Sequence, residues 1–292
     1  MRSSLTCLLA SALATIASLT ACNDDDAVLS TSDSICKHVP APAGAATSLC
    51  ETTIADLLHI SAGLRWHDSG ASDGAGDDIP MLYGEVDDMA LEYARRERAP
   101  SGRTFEYASG ATLLLTKALA SALGATSVSD FARDALFAPL AITSAVLERD
   151  RSGTPMGSSW IFTSVRDLAR VGDMLAHGGV GPNGRVLSSA WVTYLSTPGP
   201  AAFYGAHFWL VPNARGLYEG AFFADGVLDQ KLVVLPKADV VIVHVGNARR
   251  TVLGLDGLVG HVAFALGLAA TPPDKKIAVA IDVPRPRSGT SP

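Results

Sequence analysis

Apolar and polar positions fall into two textures along the chain. Between Thr53 and about Ala176 the apolar residues recur at helical spacing. Thr53-Ile-Ala-Asp-Leu-Leu58 opens a short amphipathic helix with Thr53 as its N-cap. Asp87 to Arg98 predicts a charged helix and Ala111 to Leu123 a longer one with a broad apolar face. Asp130 to Phe137 and Ser164 to Leu175 predict two more. His177-Gly-Gly-Val-Gly-Pro-Asn-Gly184 closes the last as a tight loop. Residues 67–79, rich in Gly, Ser and Asp, predict a surface loop. Beyond Ala202 the period shortens. Ala206–Val211, Ala221–Phe223, Gln230–Leu235 and Val240–Val245 are short and rich in β-formers, with Pro236-Lys-Ala-Asp239 as a turn between the last two. These spacings predict an antiparallel meander. Val252 to Leu266 predicts a closing helix. A helical middle followed by a meander and a terminal helix is an α+β pattern.

The ends read differently. Leu5 to Leu19 is apolar and Ala-rich, preceded by Arg2, and too short for a comfortable membrane span. Leu19-Thr20-Ala21-Cys22 followed by Asn23-Asp-Asp-Asp26 matches a bacterial lipobox. The expectation is an export signal over 1–21, lipid attachment at Cys22, and a lipoprotein on the periplasmic face of a membrane. The other reading of this stretch is a buried helix. Residues 22–51 read as a tether and irregular segment, 52–270 as the domain, and 271–292 as a Pro-rich tail with one short strand at Ile277–Ile281.

Composition narrows the classes. Apolar residues make up 48 % of the 292, enough for a core and too many for wholesale disorder. Net charge is −6 with no long basic run, so nucleic-acid binding has no electrostatic footprint. Cys36 and Cys50 enclose 13 residues. They suit a disulfide in an exported protein, or two unpaired small apolar side chains. No zinc spacing occurs, and no metal or cofactor is implied.

Several short motifs carry little. Gly70-Ala-Ser72-Asp-Gly74 fits G-x-S-x-G but lacks the flanking strand and helix that motif needs. The Gly-rich run at 178–184 lacks the Lys-Ser/Thr of a phosphate loop. His59 and His67 are not at the spacing of a paired metal site. A single Ser-x-x-Lys occurs, Ser34-Ile-Cys-Lys37, and two prolines soon after it argue against a following helix.

Six segments in order carry more. Thr53-Ile-Ala-Asp-Leu-Leu-His-Ile-Ser-Ala-Gly-Leu-Arg-Trp66 resembles T-I-x-x-L-L-x-M-x-S-G-L-x-W, and Phe105-Glu-Tyr-Ala-Ser109-Gly110 resembles F-x-Y-S-x-G/N. Leu136-Phe-Ala-Pro-Leu-Ala-Ile142 resembles L-F-x-P-L-G-I, and Phe162 to Gly172 resembles x-T-x-R-D-L-A-R-F-G. Tyr204-Gly-Ala-His-Phe-Trp209 resembles Y-G-x-x-F-W, and Ala224-Asp-Gly-Val-Leu-Asp-Gln230 resembles A-x-G-x-x-G-Q. Together they resemble the β-lactamase-related serine hydrolases: class C β-lactamases, esterases of that fold, D-Ala-D-Ala peptidases and 6-aminohexanoate-oligomer hydrolases, the last most closely. The resemblance implies a β-lactamase/transpeptidase-like α+β fold, with an antiparallel sheet, flanking helices and a helical lobe. It also implies hydrolysis of a small-molecule ester or amide through an acyl-enzyme.

A serine needs a base to become nucleophilic, and the family supplies it as Ser-x-x-Lys at a helix start. On the resemblance Tyr107 shares that proton network, Ser109 stands where many relatives carry Asn, and Asp225 and Gly226 fall at the third motif, where relatives often carry a basic residue and Gly. Asp225 there would repel an anionic substrate carboxylate. The first motif is the weak point, and three readings stay open. Ser34 and Lys37 are nucleophile and base; or the protein is a non-catalytic lipoprotein of the same fold that binds cell-wall fragments or a protein. In the third, Ser3-Ser-Leu-Thr-Cys-Leu-Leu9, which resembles the K-S-x-T-x-L-L helix after the family nucleophile, marks an N-terminally truncated hydrolase lacking its first strands.

Overall fold

Short polar signals set most helix starts. In the computed structural model, which describes residues 28–67, 76–83, 88–95, 100–159, 161–247 and 254–269, helix α1 is Ile54–Leu58. Thr53 Oγ1 accepts the Asp56 N–H at 3.1 Å while the Asp56 carboxylate accepts the Thr53 N–H at 2.8 Å, a reciprocal capping box. Helix α2 is Asp78–Tyr83, and α3, Met89–Tyr93, is capped by Asp88. The longest, α4, covers Ser109–Leu123. Ser127 caps α5, Val128–Ala132, which widens into a π-type turn over Arg133–Phe137. Ser164 caps α6, Val165–Ala176, and Ser188 caps α7, Ser189–Leu195.

The strands are short. β1 (Val146–Leu147) pairs antiparallel with β2 (Ile161–Phe162), and β3 (Val180–Gly181) forms a hairpin with β4 (Gly184–Arg185). The main sheet is the expected meander: β5 (Trp209–Leu210), β6 (Phe222–Gly226), β7 (Gln230–Leu235) and β8 (Val240–His244), antiparallel in that order. Every residue of β7 is buried, the apolar run Leu232–Leu235 and also the polar Gln230 and Lys231 that precede it. One face packs on α6, where Gly172 lies so close to Val241 and Leu232 that an added Cβ would meet them at 2.4 and 2.8 Å. The core joins α1, α4, α6 and this sheet through Leu58, Leu114, Leu115, Leu119, Val171, Phe208, Phe222 and Leu232, all buried. Each large apolar side chain so buried contributes roughly 1.5–3 kcal/mol.

Some expectations change. The strand expected over 206–211 shrinks to Trp209–Leu210, because the chain turns at His207, whose φ is 61°. The loop expected over 177–184 contains the β3–β4 hairpin, and the loop expected over 67–79 ends in the start of α2. Helix α7 was not marked by the hydrophobic pattern. Residues 28–51, expected within a tether, are irregular but not loose: Leu29, Ile35, Val39 and Leu49 are buried in the common core. Cys36 and Cys50 form a disulfide joining the 3-10 turns Ile35–Lys37 and Leu49–Glu51. By packing, one unit runs to Arg250 and a second starts at Thr251, whereas the sequence suggested a boundary near residue 270. The described part of the second unit is helix α8, Leu255–Ala265. The signal segment, Cys22 and Ile277–Ile281 lie outside the described residues.

Candidate active site

Tyr107 is placed from both sides. The Glu106 N–H donates to Ile60 O at 3.0 Å and the Gly102 N–H to Ser61 O at 2.7 Å, so the approach to α4 is laced to the turn after α1. Helix α4 then begins at Ser109, with Ala108 as its N-cap. Gly110 fits because its Cα rests against Trp66 and Tyr93. A Cβ there would lie 2.7 Å from each ring. The motif glycine therefore brings the helix start down onto Trp66 of the Thr53–Trp66 segment, and leaves Tyr107 39 % exposed at the helix mouth. Ser109 is half-buried beside it.

The Y-G-A-H-F-W segment supports the ring. Trp209 stacks on Tyr107 with centroids 5.8 Å apart and planes at 15°, and meets the buried Tyr204 edge-on at 5.0 Å. Phe105 packs on Tyr204 at 4.9 Å and on Phe203 at 5.2 Å. Burial, then the nearness of Tyr107, pushes the Tyr204 phenol well above its ordinary range, so Tyr204 stays neutral. His207 ties this segment to two helices. Its N–H donates to Leu58 O at 3.0 Å, and its Nε2 hydrogen-bonds Thr112 Oγ1 at 2.7 Å. Burial, with a smaller push from His59, lowers the His207 imidazole to about 3. It is a neutral clamp. His59, the C-cap of α1, is also pushed down by burial and meets the Tyr194 ring at 5.3 Å. The sequence marked neither His207 nor Tyr194, and only the Y-G-A-H-F-W match could have pointed to His207.

Asp225 and Gly226 end strand β6 rather than forming a turn. Asp225 pairs in register with Lys231 on β7, and the Lys231 Nζ lies 2.6 Å from Asp225 Oδ1 and 3.0 Å from Asp229 Oδ1. The second contact is an ion pair without hydrogen-bond alignment. Lys231 is thus a third-motif residue that the sequence did not reveal, because only the hairpin register brings it beside Asp225.

Ser34 and Lys37 sit elsewhere in chemical terms. The Ser34 hydroxyl donates to Cys50 O at 2.7 Å and accepts the Cys36 N–H at 3.2 Å, capping a 3-10 turn. Lys37 Nζ donates to Asp33 Oδ1 at 2.7 Å, and its side chain is largely exposed. The Lys37 backbone N–H donates to Ser34 O at 3.0 Å, but the two side chains bond other partners. The R-D-L-A-R segment is also structural. Asp167 accepts Ser144 Oγ at 2.5 Å, the Ser144 N–H at 3.0 Å, the Thr143 N–H at 3.3 Å, and Arg170. Burial works to raise this carboxyl, but those donors outweigh it and hold it below the usual range. A separate small cleft is lined by Met81, Asp88, Leu113, Lys117 and Met156 among others, with Lys117 paired to Asp88 at 2.5 Å. Leu113 and Lys117 reach it from α4, whose start follows Tyr107, and neither Asp225 nor Gly226 lines it.

The comparisons agree with the motif order. The sequence matches the family described as Beta-lactamase over residues 7–261. A "6-aminohexanoate-dimer hydrolase" of Paenarthrobacter ureafaciens is 32 % identical over 117 residues, covering 35 % of this chain and 29 % of the relative. The chain thus aligns with under a third of that relative's length. Among solved structures, the "Putative 6-aminohexanoate-dimer hydrolase from Bacillus anthracis" superposes with a TM-score of 0.73 at 17 % identity, over 89 % of this chain and 73 % of that one. EstCE1, "a hydrolase with promiscuous acyltransferase activity", gives 0.65 at 15 %, over 89 % and 83 %. These two likenesses establish the fold as β-lactamase/transpeptidase-like α+β. With the family match spanning most of its length, the chain belongs to the β-lactamase family, the serine hydrolases its motifs resemble.

Proposed function

We propose that the protein hydrolyses an ester or amide bond of a small molecule through an acyl-enzyme, with Tyr107 moving the proton between nucleophile and leaving group. The observation that carries this reading is the seating of Tyr107. Its ring is stacked on Trp209, and its neighbours Glu106 and Gly110 are held against Ile60, Trp66 and Tyr93, yet the residue is 39 % exposed. A core tyrosine with only a packing role would not need that exposure. Ser109, Asp225 and Gly226 are the substrate-facing residues on this reading.

The geometry at Ser34 favours a structural role over nucleophilic attack. Its proton is given to Cys50 O, and Lys37 is engaged by Asp33. A second reading of the N-terminus has support of its own. The family match starts at residue 7, inside the stretch also read as an export signal. On that reading residues 7–21 belong to the hydrolase domain rather than to an export signal. The export reading, with lipid on Cys22 and a periplasmic location, has the Cys36–Cys50 disulfide in its favour, since such bonds persist in oxidising compartments.

The test is active-site labelling of the product expressed from its own locus, with any in-frame sequence upstream retained. A fluorophosphonate and a labelled penicillin are applied separately, and adducts are mapped by mass spectrometry. One labelled serine, with the labelling rate cut about 100-fold or more by Tyr107→Phe, is the expected result. An adduct on Ser34 would restore Ser34–Lys37 as the catalytic pair. No adduct on folded protein would leave the non-catalytic binding protein as the surviving reading.

A further inference from the structure

One face of the main sheet continues the aromatic surface beside Tyr107 into a charged cluster. Trp209 stacks on Phe223 with centroids 6.5 Å apart and planes at 21°. Phe223 and Asp225 are two residues apart on β6 and so point to the same side. Asp225 is registered opposite Lys231, and Lys231 opposite His244 on β8. The face therefore runs from Tyr107 across two rings to Asp225.

The charges there do not cancel. Lys231 has a side chain only 3 % exposed and is gripped by Asp225 and by Asp229, itself 2 % exposed. His244 donates from Nδ1 to the Asp229 carbonyl at 2.7 Å, and that nitrogen is 3.9 Å from Asp229 Oδ2. One ammonium between two carboxylates sums to −1, and the exposed member is Asp225, at 38 %. Lys231 is too enclosed to meet a substrate.

Asp229 is the unusual residue. The segment resembles A-x-G-x-x-G-Q, and Asp229 stands at the second glycine. Its φ is 68°, after Leu228 at 65°, in the three-residue loop between Gly226 and Gln230. Glycine is preferred at such a left-handed loop position, and aspartate is among the few other residues that tolerate it. What it supplies is a second, buried carboxylate for Lys231. A glycine would leave Lys231 and Asp225 as a neutral pair.

We propose that Asp225, held by the buried Lys231–Asp229 pair, makes this site select substrates that carry a cationic ammonium group beside the scissile ester or amide, and reject those that carry a carboxylate. The proposal rests on the hydrolase reading for the word substrate, and on charge alone for the selection. The ammonium would meet the Asp225 carboxylate, on the sheet face that Phe223 and Trp209 continue toward Tyr107.

The test reads binding, so that it stands apart from turnover. Hexylammonium, hexan-1-ol and hexanoate are titrated into the full chain and their affinities read by ligand-observed NMR at low salt. Hexylammonium should bind about tenfold or more tighter than hexanoate, a difference of about 1.4 kcal/mol, with hexan-1-ol between. Asp225→Asn should shrink that ratio to about threefold or less. Asp229→Gly, which suits the backbone and so should fold, should move the ratio toward hexanoate by a similar factor. Equal or undetectable binding of all three, or a ratio unchanged by Asp225→Asn, overturns the proposal even if the protein hydrolyses esters. Selective binding without any serine adduct upholds the charge selection and removes the hydrolase reading instead.

Discussion

Opening the Cys36–Cys50 bond should cost about 3 kcal/mol of stability, and the structure says why the loss should be close to the full chain-entropy value. The cysteines are 14 positions apart, so the closed loop holds 15 residues counting both. Freeing a loop of that size in the unfolded chain removes about 3 kcal/mol at 25 °C. On the folded side little should change. Ile35 N–H still donates to Thr52 O at 2.9 Å, Ser34 Oγ to Cys50 O at 2.7 Å, and Ile35 and Leu49 remain buried. The reduced protein therefore keeps its native contacts and loses only the restraint on the unfolded state. Urea unfolding followed by tryptophan fluorescence, with and without reductant, measures this. With a slope of about 3 kcal/mol/M, the midpoint should fall by about 1 M on reduction, and a Cys36→Ser/Cys50→Ser variant should match the reduced protein. A shift below about 0.3 M at unchanged slope would refute the reasoning, because it would mean that residues 28–51 do not unfold with the core.

Other consequences can be checked singly. Phe208→Ala removes a fully buried ring packed edge-on against Phe222 at 5.3 Å, and should cost about 3–5 kcal/mol in the same urea assay. Asp167→Asn keeps the shape but loses the charge that holds Ser144 and Arg170, at about 1.5–3 kcal/mol. The wild-type Asp167 carboxyl is lowered on folding, so its contribution is present above the unfolded value of 3.8 and is lost as pH falls through the lower folded value. His207 has the opposite chemistry. Its folded value of about 3 lies below the unfolded 6.5, so the unfolded chain binds the extra proton between them. Stability should be intact above pH 6.5 and fall by about 2 kcal/mol on going to pH 5, with His59 adding in the same direction. Thermal unfolding across that range should show the slope, and His207→Asn should flatten it.

What could be read from the sequence was mostly what is local. Thr53 with Asp56, and Ser164 with Asp167, declare helix starts because the partners are three residues apart and satisfy the same few N–H groups. Strand β7 was delimited correctly at Gln230–Leu235 because a turn bounds each end. Helix α7 escaped because its seven residues make barely two turns, too short for an apolar period to stand out. The packing of residues 28–51 was hidden by their Ser, Ala and Pro content. They are held by a disulfide, by backbone bonds and by four spaced apolar side chains rather than by a periodic stripe. Tyr107 was singled out through its motif, and the structure shows how its ring is seated on Trp209. The left-handed turn at His207 and the cross-strand meeting of Lys231 with Asp225 were not legible, because each depends on register between segments rather than on the residues alone.

The contact under Gly110 limits how this site could be remade. With Trp66 and Tyr93 rings 2.7 Å from where a Cβ would stand, position 110 admits no larger residue unless the helix start lifts away and takes Tyr107 with it. Directly before it, Ser109 is half-buried rather than enclosed. On the function proposed above, adaptation to a new substrate therefore has one closed position and one less enclosed position side by side. A library that varies 109 together with 225 would explore specificity on an intact frame, whereas one that varies 110 would mostly sample proteins that have lost the seating of Tyr107.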